Sequence, residues 1–341
     1  MCSSENRVSP AKESRIGVTV LSGFLGSGKT SLLNRLVREP RYSRALVIIN
    51  EFGEIGVDHA LVQGLDDDVV LLAGGCICCS VRGALVDTLR DMFLRVVQRR
   101  IAPFDHVLIE TTGVADVAPI LFTLRHDFFL ADRYMFEKCI TVVDAGHIAG
   151  QLARHGVAAS QIALADYVVI NKIETMGAAQ VEGLTEVVMA INPLAQVFAH
   201  QADADLPQAL VAPQLSPRPA GLWSGKRLAG LNAGRHAGIA AFEVTYEGRW
   251  PRGRLMTALD DCLAAHGDDV LRVKGILYFQ GLAHAEGAFA LHAVHRVRYP
   301  LDLLAVRPGA QARCELVFIV SGDRAVIIEQ SVRTRLAELI P

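Results

Sequence analysis

Apolar positions along the chain fall into short runs separated by glycine-rich or polar turns. Residues 15–23, RIGVTVLSG, are β-branched and apolar and end in glycine. In the following KTSLLNRLVRE (29–39), Leu32, Leu33, Leu36 and Val37 recur at helical spacing, so the pattern predicts a strand, a loop and a helix. Apolar runs at 45–50, 106–110, 139–145, 166–172 and 195–200 repeat the strand signal, with helix-like stretches such as 81–100 and 177–191 between them. Near-continuous apolar strands alternating with helices imply a mostly parallel sheet covered on both faces.

The texture then changes. Residues 207–235 are rich in Pro, Gly and Ala with no sustained period, which reads as a linker. Beyond it, strands at 238–248 and near 271–280, 289–297 and 314–322 outnumber the helix-like segments 252–267 and 331–340. That balance predicts a smaller α+β domain with an antiparallel sheet. The expected organisation is a tail over 1–14, an α/β domain over 15–206, a linker over 207–235 and an α+β domain over 236–341.

Composition bounds the function classes. A chain of 341 residues, 51% hydrophobic, can bury about two domains' worth of core. Its net charge of -2 and pI near 6.6 carry no basic footprint for nucleic acid. The polar start MCSSENRVSPAKESR has no apolar h-region, and no run of about 18 apolar residues follows. A cytoplasmic protein with no membrane partner is expected. The seven cysteines are odd in number, and Cys2, Cys139, Cys262 and Cys314 are scattered singly, which favours reduced thiols over a disulfide framework.

The sharpest chemical signal is GFLGSGKT (23–30), a match to G-x-x-x-x-G-K-[ST] between a predicted strand and a predicted helix. Such a loop lets backbone N–H groups around Gly23, Gly26, Ser27, Gly28 and Ser31 face phosphates at a helix N-terminus. Lys29 then reaches the β- and γ-phosphates, and Thr30 offers its hydroxyl to Mg²⁺. HVLIETTGVAD (106–116) ends a strand at Glu110, a carboxylate placed to hold Mg²⁺, and Gly113 follows to meet the γ-phosphate. VVINKIE (168–174) approximates N-K-x-D, so Asn171, Lys172 and Glu174 are expected to read guanine, with Glu174 in the place of Asp. The extra methylene moves that carboxylate by roughly one C–C bond and weakens base discrimination.

GGCICCS (74–80) crowds three thiols into four positions. Cys76 and Cys78 point the same way from an extended backbone, and a turn at Cys79 brings in the third. The set suits a soft metal, Zn²⁺ or Cu(I), with Glu51 or Glu54 of NEFGEIGVD (50–58), water or a partner as the fourth ligand. A redox-active or vicinal disulfide, or plain buried cysteines, are the alternatives. Other candidates are weaker: His292 and His295 fall at i and i+3 of a strand and face apart, Cys139 and Cys314 sit in apolar strands, Cys262 sits in a helix, and His126 and Asp127 fit a solvated helix end.

Taken in order, SGFLGSGKT, NEFGEIGVD, GGCICC, IETTGVADVAPI, VVDA and NKIE resemble the CobW-like metallochaperone GTPases, relatives of HypB and UreG. HGDDVLRVKGILYF, ALHAVHRVRY and CELVFIVSG extend the resemblance into the second domain, and RYMFEKCITVVDA looks more like the YjiA branch. The resemblance implies a P-loop GTPase domain followed by a CobW-type C-terminal domain, and slow GTP hydrolysis coupled to delivery of a transition metal, most often zinc. It places the metal on Cys76, Cys78 and Cys79, assigns Glu110 to the Walker-B position, and gives Glu51 and Glu54 to Mg²⁺ or the transferred metal. Co²⁺ and Ni²⁺ are the other divalent candidates. A client metalloprotein is the implied partner, with self-association left open. Residues 207–234 lack the histidine tract of many relatives, which argues against metal storage. No arginine finger or water-positioning glutamine is assignable from spacing, so slow intrinsic turnover is expected. The rival readings are a P-loop small-molecule kinase, which leaves the thiols unexplained, and a non-catalytic nucleotide-binding metal sensor.

Overall fold

The computed structural model describes residues 15–50, 69–72, 80–201, 204–212, 238–280, 287–304 and 312–339. The first domain runs β1 (Ile16–Ser22), α1 (Lys29–Leu36), β2 (Ala45–Asn50), β3 (Val69–Leu72), α2 (Ser80–Val97), β4 (His106–Glu110), α3 (Ala118–His126), α4 (Phe128–Arg133) and β5 (Tyr134–Asp144). It continues through α5 (Ile148–Arg154), α6 (Gly156–Leu164), β6 (Tyr167–Asn171), α7 (Ala178–Ile191), β7 (Gln196–Ala199) and the short α8 (Gln208–Val211).

Its strands form a seven-stranded sheet of order β3-β2-β4-β1-β5-β6-β7, and every pairing in it is parallel. β4 is buried at all five positions, as a strand covered on both faces must be. On one face Val18, Val20, Ile48 and Ile109 pack with Leu85 and Leu89 of α2 and Leu121 of α3. On the other, Leu21, Val47 and Ile49 pack with Leu32, Leu33 and Leu36 of α1. Alternation of neighbouring side chains between faces explains why β1 contributes to both clusters. Six of the strands follow the apolar runs of the sequence, whereas β3 is an addition. A run as short as VVLL is ambiguous by periodicity alone.

The second domain comprises β8 (Ile239–Glu247), α9 (Arg252–His266), β9 (Val270–Leu277), β10 (Ala288–Val294), β11 (Val297–Arg298), β12 (Asp302–Leu304), β13 (Arg313–Ser321) and α10 (Ala325–Ala337). Its sheet, order β11-β10-β9-β13-β8 with β12 on β10, is antiparallel and packs against α9 and α10 around Leu255, Leu259, Phe318 and Ile328. The last helix starts at Ala325, earlier than the sequence pattern places it.

The two domains share core. Ile239, Ala241 and Ile319 of the second sheet lie in one apolar cluster with Ala159, Ile162 and Ala163 of α6 and Val188 of α7. Beside it, Asp166 accepts from Lys274 Nζ at 2.7 Å and from Arg272, all three buried, and Arg272 also donates to the Leu164 carbonyl. The start of the expected linker is anchored to the first domain: Lys138 Nζ donates to the carbonyls of Leu210 and Ala212, each at 2.7 Å.

Candidate nucleotide and metal site

In this strand order β1 lies between β4 and β5. The chain leaves β1 toward β2 and β3 on one side of the sheet and later runs on through β5, β6 and β7 on the other, so a crevice opens beyond its carboxyl end. The functional candidates gather there. Parallel register sets their height: Leu21 lies opposite Glu110 across β1 and β4, and Asp144 opposite Asn171 across β5 and β6.

The loop from β1 to α1 needs its glycines. Gly23 has φ 141°, Gly26 φ 71° and Gly28 φ 100°, all in the region that L side chains avoid. A Cβ on Gly23 would meet the Val142 carbonyl, whereas one on Gly26 would meet nothing within 4 Å, so the loop is pressed on the sheet at one end and open to a ligand in its middle. Gly28 caps α1 without any side-chain hydrogen bond, which leaves the first-turn N–H groups of that helix available to an anion. Lys29 is buried and folds back so that Nζ donates to the Phe24 carbonyl at 3.2 Å. Ser31 is exposed in the first turn of α1.

Thr30 Oγ1 donates to Glu110 Oε1 at 2.8 Å. This hydroxyl and carboxylate at the foot of the phosphate cradle form a hard oxygen pair of the kind Mg²⁺ takes, so the residues present fit that ion. Gly113 packs on the phosphate loop: a Cβ there would stand 2.5 Å from Leu25 N.

On the β6 side, Asn171 Nδ2 donates to the Ser27 carbonyl at 3.0 Å. Lys172, with φ 61°, donates from Nζ to the Gly26 carbonyl at 2.6 Å and to Asp144 Oδ2 at 2.8 Å. Burial would raise the Asp144 carboxyl, but hydrogen bonds from Lys172 and His147, the Lys172 charge and the Gly146 N–H outweigh it and hold the group below its ordinary range. Glu174 is exposed in the turn that follows, and its charge acts on the buried His200, which contacts Arg35 of α1.

Cys76, Cys78, Cys79, Glu51 and Glu54 lie outside the described residues. What flanks them is informative: β2 ends at Asn50 and β3 at Leu72, paired with each other at the sheet's carboxyl edge, and Ile49 is in register with Glu110. Among the described residues no group of three or more His, Cys, Asp or Glu side chains is gathered to hold a metal. The remaining described thiols are poor ligands, because burial pushes Cys139 up to about 12 and Cys314 up to about 11 and also raises Cys262, so they stay protonated near neutral pH. His295 lies past the end of β10 at φ 48° with Nδ1 at 3.0 Å from the Gly267 carbonyl, while His292 sits on β10 opposite Lys274. Asp127 caps α4 by accepting from Leu130 N, and His126 stacks on Phe122 at the end of α3.

Two residues of the site receive no role from the motifs, although Asp144 lies within VVDA. Asp144 orders Lys172, and the signal for it is the same one that marks Glu110: a carboxylate ending an apolar strand. Gln161, buried on α6, donates from Nε2 to the carbonyls of Gly113 and Ala115 at 3.3 and 3.0 Å. A lone glutamine in GVAASQIAL announces nothing in sequence.

No helix among the described residues is long and apolar enough to cross a membrane. Over 267 residues the chain is 33% identical to the zinc chaperone YjiA of Escherichia coli strain K12, covering 78% of this chain and 83% of that protein. Over 190 residues it is 30% identical to the zinc-regulated GTPase metalloprotein activator 1 of Schizosaccharomyces pombe, covering 54% of this chain and 45% of that one. The crystal structure of Zn(II)-bound YjiA GTPase from E. coli superposes with a TM-score of 0.69 at 25% identity, over 96% of this chain and 99% of that one. Residues 17–199 match the CobW/HypB/UreG nucleotide-binding domain, residues 239–338 match the cobalamin synthesis protein CobW C-terminal domain, and the chain belongs to the CobW/HypB/UreG family.

Proposed function

We propose that the chain is a GTP-hydrolysing metallochaperone that binds zinc at Cys76, Cys78 and Cys79 and couples the nucleotide cycle to delivery of that metal to a client metalloprotein. The observation that carries the reading is the joint between the two halves of the site. Asn50 and Leu72, the described residues nearest in sequence to Glu51, Glu54 and the thiols, are paired with each other, and Ile49 beside Asn50 is in register with Glu110. Similarity to a zinc-bound GTPase supports zinc as cargo.

In this reading the open cradle around Gly26, with Gly23, Ser27, Gly28 and Ser31, takes the phosphates of GTP, and Lys29 turns from the Phe24 carbonyl to the β- and γ-phosphates. Thr30 and Glu110 would hold Mg²⁺, whose positive charge would offset that of the phosphate oxygens. Asn171, Lys172 and Glu174 take the guanine ring, and Gly113 meets the γ-phosphate. Loss of that phosphate on hydrolysis releases the ordered loops, and Glu51 and Glu54 pass the change to the thiolates. Turnover is slow, since no arginine finger is assigned.

Linkage supplies the test: if GTP changes zinc affinity, zinc changes GTP affinity by the same factor. Zn²⁺ is titrated into the reduced protein against a chromophoric chelator, with GDP and with a non-hydrolysable GTP analogue, alongside Cys78→Ser. A nucleotide-dependent affinity abolished by Cys78→Ser is the expected result. Tight binding indifferent to nucleotide would make the thiols a structural or sensing site.

A further inference from the structure

Helix α6 touches both phosphate-facing loops. At its N-terminal end His155 stacks on Phe24 of the phosphate loop, ring centroids 4.8 Å apart. One and a half turns on, the Gln161 amide spends both N–H groups on the loop after β4, at the Gly113 and Ala115 carbonyls, while its own backbone carbonyl accepts from Thr141 Oγ1 at 2.9 Å. That loop is tethered at its start by Thr111 N to the Leu21 carbonyl at 2.9 Å and at its end by Ala118 N to Asp116 Oδ1 at 3.0 Å. Between these tethers Ala115 N donates to the Thr112 carbonyl at 3.1 Å, and the Gln161 amide adds side-chain bonds to the backbone at Gly113 and Ala115. Peptide planarity makes a held carbonyl fix the N–H of the next residue on the opposite side.

We infer that Gln161 is a positioning residue for GTP hydrolysis: it sets the Gly113–Val114 and Ala115–Asp116 peptide planes, and so where the Val114 and Asp116 N–H groups stand when a γ-phosphate arrives. It touches no nucleotide and acts through the Gly113–Val114 and Ala115–Asp116 peptides, whose N–H groups belong to Val114 and Asp116. The inference rests on the GTPase reading above. The C-terminal end of the same helix is held by Arg272 of the second domain, through the Leu164 carbonyl, so the buttress belongs to the core that both domains share.

Because the γ-phosphate is the part of GTP that GDP lacks, the role predicts a split. In Gln161→Met, which keeps length and removes both donors, hydrolysis falls tenfold or more, as a displacement on the order of 1 Å suffices to cause. GDP affinity stays within about twofold, since the phosphate cradle and base site are untouched. Gln161→Asn, which withdraws the amide by about 1.5 Å, gives an intermediate rate. Single-turnover hydrolysis, equilibrium binding of fluorescent GDP and of a GTP analogue, and thermal melting are measured on the full chain. Parallel loss of GDP and analogue affinity in both variants, or an unchanged rate in Gln161→Met, would overturn the inference. Failure of the unmutated protein to bind either guanine nucleotide would instead sink the GTPase reading and take the inference with it.

Discussion

Asn171 Nδ2 occupies the place where a Cβ on Gly28 would stand, closer than 3.0 Å, while it donates to the Ser27 carbonyl at 3.0 Å. The loop after β6 and the phosphate loop are therefore in contact through a missing side chain. The contact ties two motifs more than a hundred residues apart into one surface.

Gly28→Ala tests that contact. The left-handed backbone at φ 100° costs an L residue about 1–2 kcal/mol. Asn171 must also yield its hydrogen bond, worth about 1 kcal/mol. GDP affinity is expected to fall at least tenfold, since about 1.4 kcal/mol makes that factor. Fluorescent GDP titration with a parallel melting curve checks it; wild-type affinity would mean that the loop relaxes around the methyl group.

Much of this was legible from residues alone. The strand, glycine loop and helix over 15–39 carry their own punctuation, and the pairing of Thr30 with Glu110 follows once a carboxylate ends the strand beside the phosphate loop. The contacts of Asp144 and Gln161 were not legible, because each depends on which strands neighbour one another. β5 sits beside β6 through a crossover, and only that adjacency sets Asp144 opposite Asn171. The Asp166 cluster is of the same kind: its partners come from a strand more than a hundred positions away in another domain.

Asp144→Asn probes the clamp on Lys172. The variant keeps an acceptor for Lys172 and loses the charge that holds it against the Gly26 carbonyl. With the lysine half exposed, the charged hydrogen bond is discounted to about 1 kcal/mol, a roughly fivefold loss of GDP affinity. On the proposed reading, in which Lys172 takes part in holding guanine, ADP binding should change less. Equal losses for GDP and ADP would assign the clamp to the phosphate loop alone.

The Asp166 cluster makes the final prediction, which concerns stability. Burial alone would raise the Asp166 carboxyl, but the charges of Arg272, Lys274 and His292 overcome it and hold the group well below its ordinary value of 3.8. Lys274 is in the opposite position: burial first, then Arg272, brings it down to about 8 despite Asp166. Asp166→Ala strands two buried cations and removes the acceptor of Cys139 N, so a loss of about 3–5 kcal/mol is expected in urea unfolding at pH 7. Lys274→Met leaves the Asp166 and Arg272 pair intact and should cost distinctly less. The signs follow from linkage. The Asp166 contribution is full above pH 3.8 and is lost as pH falls toward its folded value, because the unfolded chain binds a proton that the fold refuses. For Lys274 the unfolded chain stays protonated between about 8 and 10.5 while the folded one does not, so wild-type stability gains with rising pH across that interval relative to Lys274→Met. Coincident pH profiles for the wild type and Lys274→Met would show that the lysine titrates normally, and a small effect of Asp166→Ala would show that the cluster does not hold the domains together.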